Sequence, residues 1–218
     1  MIEPKGNLNP SVIFYKVDIT DPSAVASVAK RIRTEHGDPT VLINNAGIGN
    51  SEPLLKLTEP KIRKVFDVNI IAPIVLVQEF LPSMVRQNHG HIVNIASMAS
   101  FIAQASNVDY CCTKSAMLSF HEGLAQELRL IYKSPQVRTR TPLIEKLTTG
   151  GKLKDPSLSP DEVAIRVVDA LYSGYGAQMV IPENLGWTSL IRGLPGWMQE
   201  SLRDTVSIGL LKSLGQYE

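Results

Sequence analysis

Residues 11–47 read SVIFYKVDITDPSAVASVAKRIRTEHGDPTVLINNAG, and the fold turns on how this stretch is read. Its first ten residues, SVIFYKVDIT, are β-branched and aromatic, which predicts a strand. At the TDP that follows, Thr20 or Asp21 can cap a helix that carries Pro22 in its first turn. Within that helix Val25, Val28, Ala29 and Ile32 recur at helical spacing and give it one apolar face. HGDP at 36–39 ends it, with Gly37 where a left-handed residue is wanted. The chain then re-enters a strand in TVLINNAG at 40–47. A strand, an amphipathic helix and a second strand make one unit of a parallel sheet.

The alternation continues outward from this unit. A helical region runs from about Thr58 to Asn88, a strand GHIVNIAS covers 90–97, a helix SPDEVAIRVVDALYSG covers 159–174, and a strand AQMVIP covers 177–182. Short, nearly continuous apolar strands are what a parallel sheet buried on both faces requires. The fold class is therefore α/β, a doubly wound parallel sheet in three layers, α/β/α. The 218 residues make one domain, and no internal repeat or linker divides them. TTGGKLKDPSLSP at 148–160 is a polar surface loop of the length found in lids. Residues 185–218 form a helical tail with Trp187, Leu190, Ile191, Leu194, Trp197, Leu202, Leu210, Leu211 and Leu214 as an apolar surface. That surface suits an interfacial membrane helix or a homodimer contact; packing over the chain's own core is the other reading.

Composition narrows the function. A net charge of +1 without a basic, aromatic-interleaved cluster argues against nucleic acid. Cys111 and Cys112 are adjacent and cannot staple distant segments, and the histidines show no metal-ligand spacing with them, so no metal is expected. The start has no secretory pattern, and the most apolar run, VNIIAPIVLV at 68–77, is too short to span a bilayer and contains Pro73, so no transmembrane helix is expected. A cytoplasmic protein follows, with membrane association, if any, through the tail.

The chemistry centres on Tyr110 and Lys114, four apart in YCCTK and so on one face of a helix. An ammonium near a phenol favours the phenolate, and a phenol whose pKa falls from about 10 can exchange protons with a substrate oxygen. The pair alone is equally an ordinary helix face. Ser97, at the carboxyl end of a strand where ligands bind in open α/β sheets, adds a hydroxyl for the same oxygen. Asn44, Asn45, Ala46 and Gly47 end another strand with residues that let a flat ligand approach the backbone. Asn69 is an amide in an apolar helical region and needs partners there. Asp18 ends the first strand, where capping is the simpler reading.

Taken together, VDIT, NNAG, VN, Ser97 and YCCTK, in this order and at these distances, resemble the short-chain dehydrogenase/reductase family over roughly residues 11–185. The resemblance implies a Rossmann-like sheet and hydride transfer between NADP or NAD and an alcohol or carbonyl carbon. It makes Tyr110 the acid/base. Lys114 lowers the pKa of Tyr110 and holds the nicotinamide ribose, Ser97 orients the substrate oxygen, and Asn69 supports a proton-relay water. Asp18 then lies by the adenine, and Asn44 to Gly47 border the cofactor. NHGHIVNIAS, DYCCTKSAMLSFHEGLAQEL and RTPL look most like the branch acting on retinoids, steroids and other lipophilic alcohols, particularly its fungal relatives.

The sequence also departs from the family. The turn T-G-x-x-x-G-x-G that receives the cofactor pyrophosphate is not in these residues, and the first strand, first helix and second strand look absent. With no glycine between Gly123 and Gly150, the sixth strand reads as deleted, leaving Thr141 as a displaced remnant of the carboxamide contact. Strand 12–17 is then expected to dock beside 40–44. Two functions stay open: an oxidoreductase whose turnover the missing cradle impairs, and a non-catalytic, partner-binding remnant.

Overall fold

A computed structural model of the chain describes residues 12–144, 159–173, 178–181 and 183–216. Helix α1, Pro22–His36, begins where Asp21 accepts hydrogen bonds from the backbone N–H of Ser23 (2.9 Å) and Ala24 (3.1 Å). It ends at Gly37, whose φ of 85° lies in the region that favours glycine. Strand β1, Val41–Asn44, follows. Helices α2, Glu59–Phe66, and α3, Ala72–Gln87, run on as one rod through a π-helical turn at Asp67–Ile71. Pro73 follows closely on this π-helical turn.

Strands β2, Gly90–Asn94, and β3, Ala96–Ser97, lie end to end, and the long helix α4, Val108–Leu130, comes next. Strand β4 is Val137–Ile144, helix α5 is Pro160–Tyr172, and strand β5 is Gln178–Ile181. Ser159 and Glu162 form a reciprocal capping box at the start of α5. A 3₁₀ stretch, Glu183–Gly193, leads into helix α6, Gly196–Ser213.

All strand pairs are parallel. β2 lies between β1 and the first half of β4, β3 continues along the second half of β4, and β5 pairs with β4. The result is a Rossmann-like, doubly wound α/β sheet. Ile92 and Val137 meet Ala29 of α1, Phe80 and Met84 of α3 and Leu124 of α4, which places these three helices on one face. A second core, with Ile70, Ala96, Met98, Met117 and Leu118, lies under the carboxyl ends of the strands and is closed by Ile191 of the tail, which is fully buried. Close packing is enforced at Gly90, where a Cβ would come within 2.7 Å of the Met84 side chain.

Two expectations are corrected. Residues 137–144, which read as the scar of a deleted strand, form β4 at the centre of the sheet. Val137, Thr139 and Thr141 favour a strand but Arg138, Arg140 and Pro142 interrupt the signal, and the ladders that β2 and β5 offer to the two sides of β4 hold the segment extended. Conversely, residues 12–18 carry no regular structure and make no ladder with β1. The segment runs beside α1 instead, where the Tyr15 hydroxyl bonds Glu35 (2.7 Å) and His36 Nε2 (2.9 Å) and Arg31 stacks over the ring.

Two further readings meet the structure only in part. The helical run Glu59–Gln87 is long and apolar enough to cross a membrane by length and composition, because α2 and α3 are continuous where the sequence reading took only 68–77. Its buried residues Val65, Ile70, Val77, Phe80 and Met84 are spent on the core of this fold. Of the 148–160 loop, residues 148–158 lie outside the described residues.

Candidate active site

The carboxyl ends of β1, β2 and β3 and one face of α4 converge on a single polar site. Lys114 is 4% exposed, and its Nζ donates to the carbonyl of Ile95 (2.8 Å), between β2 and β3. The same Nζ lies 5.6 Å from the centroid of the Tyr110 ring. Ser97 is buried at the end of β3, and its Oγ accepts from the Ala99 N–H (3.2 Å) while its hydroxyl faces Tyr110. The spacing of four and the strand end therefore do bring phenol, ammonium and hydroxyl together.

Burial sets the titration of this group. It raises the Tyr110 phenol above its ordinary value, with the Ser97 hydroxyl pulling back down and Cys111 raising it further. It pushes the Lys114 ammonium down to about 8, with no acidic neighbour to hold it up. The sequence reading gave Lys114 the task of lowering Tyr110. In this arrangement Lys114 is turned onto the Ile95 carbonyl, and Ser97 is the group that lowers the phenol. At neutral pH the site presents a neutral phenol O–H, able to give a proton to an oxygen, backed by a cation suited to the phenolate that results.

Asn69 has the partners its position demanded. It sits in the π-helical turn, 1% exposed, and grips the backbone of Ile48 twice: Oδ1 accepts from Ile48 N–H and Nδ2 donates to Ile48 O, both at 2.8 Å. Nδ2 also donates to Thr113 Oγ1 (3.0 Å). This hold fixes the loop after NNAG against α4: Gly49 lies against Tyr110, where a Cβ would come within 3.3 Å of the ring, and Asn50 donates to Asp109 (2.6 Å). Of the NNAG residues, Asn44 is buried and donates to Asn94 Oδ1 (2.8 Å), whereas Asn45, Ala46 and Gly47 form an exposed rim.

Thr141 lies in the middle of β4, and among the described residues its buried hydroxyl has no partner. Asn44 Oδ1 and Asn94 Nδ2 are likewise buried without partners. Asn44 and Asn94 at the ends of β1 and β2, Thr141 within β4, and a desolvated Lys114 beside Gly47 with ammonium protons to spare are of the polar type that suits the ribose and amide end of a nicotinamide nucleotide. Asp18 stands apart as an exposed turn cap, accepting from Thr20 N–H (2.9 Å) and Oγ1 (2.7 Å). Sequence reasoning missed Asn94, Thr113, Asn50 and Asp109. Asn94 carried a signal, an amide inside the apolar strand GHIVN.

A tyrosine, lysine and serine gathered at the carboxyl mouth of a parallel sheet define a Rossmann-like α/β protein of the dehydrogenase type. The family model described as short chain dehydrogenase matches residues 1–132, and the chain belongs to that family. It is 50% identical to dehydrogenase RED3 of Cochliobolus heterostrophus over 59% of this chain and 66% of that protein. It is 32% identical to estradiol 17-beta-dehydrogenase 11 of Pongo abelii over 92% of this chain and 68% of the relative. Among solved structures, a metagenomic short-chain oxidoreductase in complex with NADP superposes with a TM-score of 0.63, at 27% identity, over 75% of this chain and 70% of the other. The chain thus spans about two thirds of the length of these relatives.

Proposed function

We propose that this chain is an NAD(P)-dependent oxidoreductase that interconverts a lipophilic alcohol with its ketone or aldehyde. The single observation that carries the reading is the meeting of Ser97, Tyr110 and Lys114 at one buried mouth of the sheet. In the reductive direction the Tyr110 hydroxyl gives its proton to the carbonyl oxygen, which the Ser97 hydroxyl holds in line by a second hydrogen bond. Lys114 then steadies the phenolate, and Asn69 keeps the 48–50 loop against the ring throughout. A bound nicotinamide supplies the hydride donor or acceptor. Thr141, Asn44 and Asn94 are the groups of this chain suited to its amide and ribose, Asn45 to Gly47 border it, and Asp18 is the candidate for the adenine side.

Similarity to dehydrogenase RED3 supports the oxidoreductase reading, and similarity to estradiol 17-beta-dehydrogenase 11 supports the alcohol class. Trp187, Leu190 and Trp197 are exposed on the tail, in keeping with a peripheral contact of the enzyme with a lipid phase that holds such substrates. Calorimetric titration of the folded 218-residue chain with NADPH and with NADH tests the reading. Saturable binding of one nucleotide, weakened at least about tenfold in Lys114→Ala, is the expected result, since a charge-assisted hydrogen bond contributes roughly 1.5–3 kcal/mol. A flat titration from folded protein overturns it and favours the non-catalytic, partner-binding role.

A further inference from the structure

Helices α1, α3 and α4 cover one face of the sheet, and among the described residues α5 is the helix on the other. Register partners in a parallel ladder share a face, so Val41, His91 and Arg138 form one row across it and Ile43, Val93 and Arg140 the next. Between this face and α5 lies a cavity of about 630 Å³ whose walls include Val41, His91, Arg138, Val168 and Leu171. It opens near the amino ends of the strands, away from Ser97, Tyr110 and Lys114.

The charge of this cavity is unbalanced. Among the described residues no aspartate or glutamate lines it, while His89, His91 and Arg138 do. Behind them Arg140 is 4% exposed, and its terminal nitrogens reach Met179 Sδ (3.3 Å) and Ser173 Oγ (3.2 Å). Among the described residues Arg140 Nε and His91 Nε2 are buried without a hydrogen-bond partner. Buried cations are ordinarily paired, and orphaned buried nitrogens cost free energy until they are. Burial first, and then the neighbouring Arg140 and Arg138, hold His91 below the ordinary histidine range, so its ring is neutral and can donate one proton to an anion.

We propose that the cavity under α5 binds an amphipathic monocarboxylate, its apolar tail along Val41, Val168 and Leu171 and its carboxylate held by Arg138 and His91. A second copy of the chain is a poor occupant, because isologous pairing would set two cationic rows against each other. An acidic helix from a partner protein meets the charge, but a volume of about 630 Å³ walled by both sheet and helix has the size of a small-molecule site. Arg140 supplies background charge, and Arg138, half-buried at the wall, is the contacting cation.

Sodium dodecanoate, 1-dodecanol and dodecyltrimethylammonium, titrated calorimetrically into the folded 218-residue chain, test the site without reference to redox activity. Dodecanoate should bind at one saturable site, the other two at least about tenfold more weakly, and Arg138→Gln should weaken dodecanoate at least about tenfold. Tyr110→Phe should bind dodecanoate as the parent does, which separates this cavity from the dehydrogenase site. Val168→Glu, on the exposed wall of α5, brings in a carboxylate of the chain's own. It should raise the thermal midpoint by about 2–4 °C and compete with dodecanoate. Absence of binding, equal affinity for dodecanol, or Arg138→Gln and Val168→Glu both indistinguishable from the parent overturns the proposal. So does saturable binding of an acidic amphipathic peptide where dodecanoate gives none.

Discussion

Lys114 and His121 sit two and nine residues beyond Cys112 on α4, and both are basic groups whose titration is set by burial alone. Desolvation pushes Lys114 from 10.5 down to about 8 and His121 from 6.5 down to about 4. In each case the unfolded chain holds more protons than the folded one between the two values, so stability rises with pH through that window. For His121 this means a loss, on the order of 3 kcal/mol, as pH falls from about 6.5 to 4. For Lys114 it means a gain of similar size as pH rises from about 8 to 10.5, the full cost of the buried ammonium standing at neutrality. Urea unfolding at a series of pH values checks both. His121→Leu should flatten the acid limb, and Lys114→Met should remove the rise above pH 8; an unchanged profile in either variant contradicts the account of that residue. A lysine kept buried at such a cost is readily explained by a task at the site, which is why its stabilising replacement should also remove nucleotide binding.

The π-helical turn at Asp67–Ile71 is the element on which the site's geometry turns, because it aims Asn69 across to the loop after β1 instead of along its own helix. Asn69→Ala removes both bonds to the partly buried Ile48 backbone and the one to Thr113 Oγ1, releasing the 48–50 loop from α4. A loss of about 2–4 kcal/mol in denaturant unfolding is expected, with nucleotide affinity falling alongside. Elements with strong local chemistry were legible before any coordinates. Asp21, Pro22 and Gly37 bracket α1, Ser159 and Glu162 start α5, and GHIVNIAS is apolar enough to be β2 and β3. Tyr110, Lys114 and Ser97 were legible for the same reason, since helical spacing and a strand end are local facts. The π turn was not, because no residue type marks a ladder shifted by one. Strand β4 was not either, since Arg138, Arg140 and Pro142 interrupt its pattern and the ladders to β2 and β5 on its flanks hold it extended. The partners Asn94 and Ile95 depend on register, which only the assembled sheet fixes.

At the scale of the whole sheet, the consequence of this assembly is that, among the described residues, β1 has one open side. β1 ends the strand order, and residues 12–18, with the composition of a strand, lie along α1 and leave its outer ladder without a partner among the described residues. Val41 and Ile43 are 42% and 46% exposed on that strand, and Val12, Ile13 and Phe14 are exposed beside α1. An apolar edge with free backbone groups is a template for another chain, and a net charge of +1 supplies little repulsion to oppose it. Folded protein should therefore associate on concentration, with new strand content. A lysine at the edge, Ile43→Lys, should slow the growth of light scattering several-fold at unchanged circular dichroism, as inward charges do on natural edge strands. Leu55→Lys is the matched control, because Leu55 is 99% exposed in a short 3₁₀ turn away from any strand and the substitution changes charge and hydrophobicity equally. If Leu55→Lys slows association as much as Ile43→Lys, general surface hydrophobicity drives it and the open edge does not.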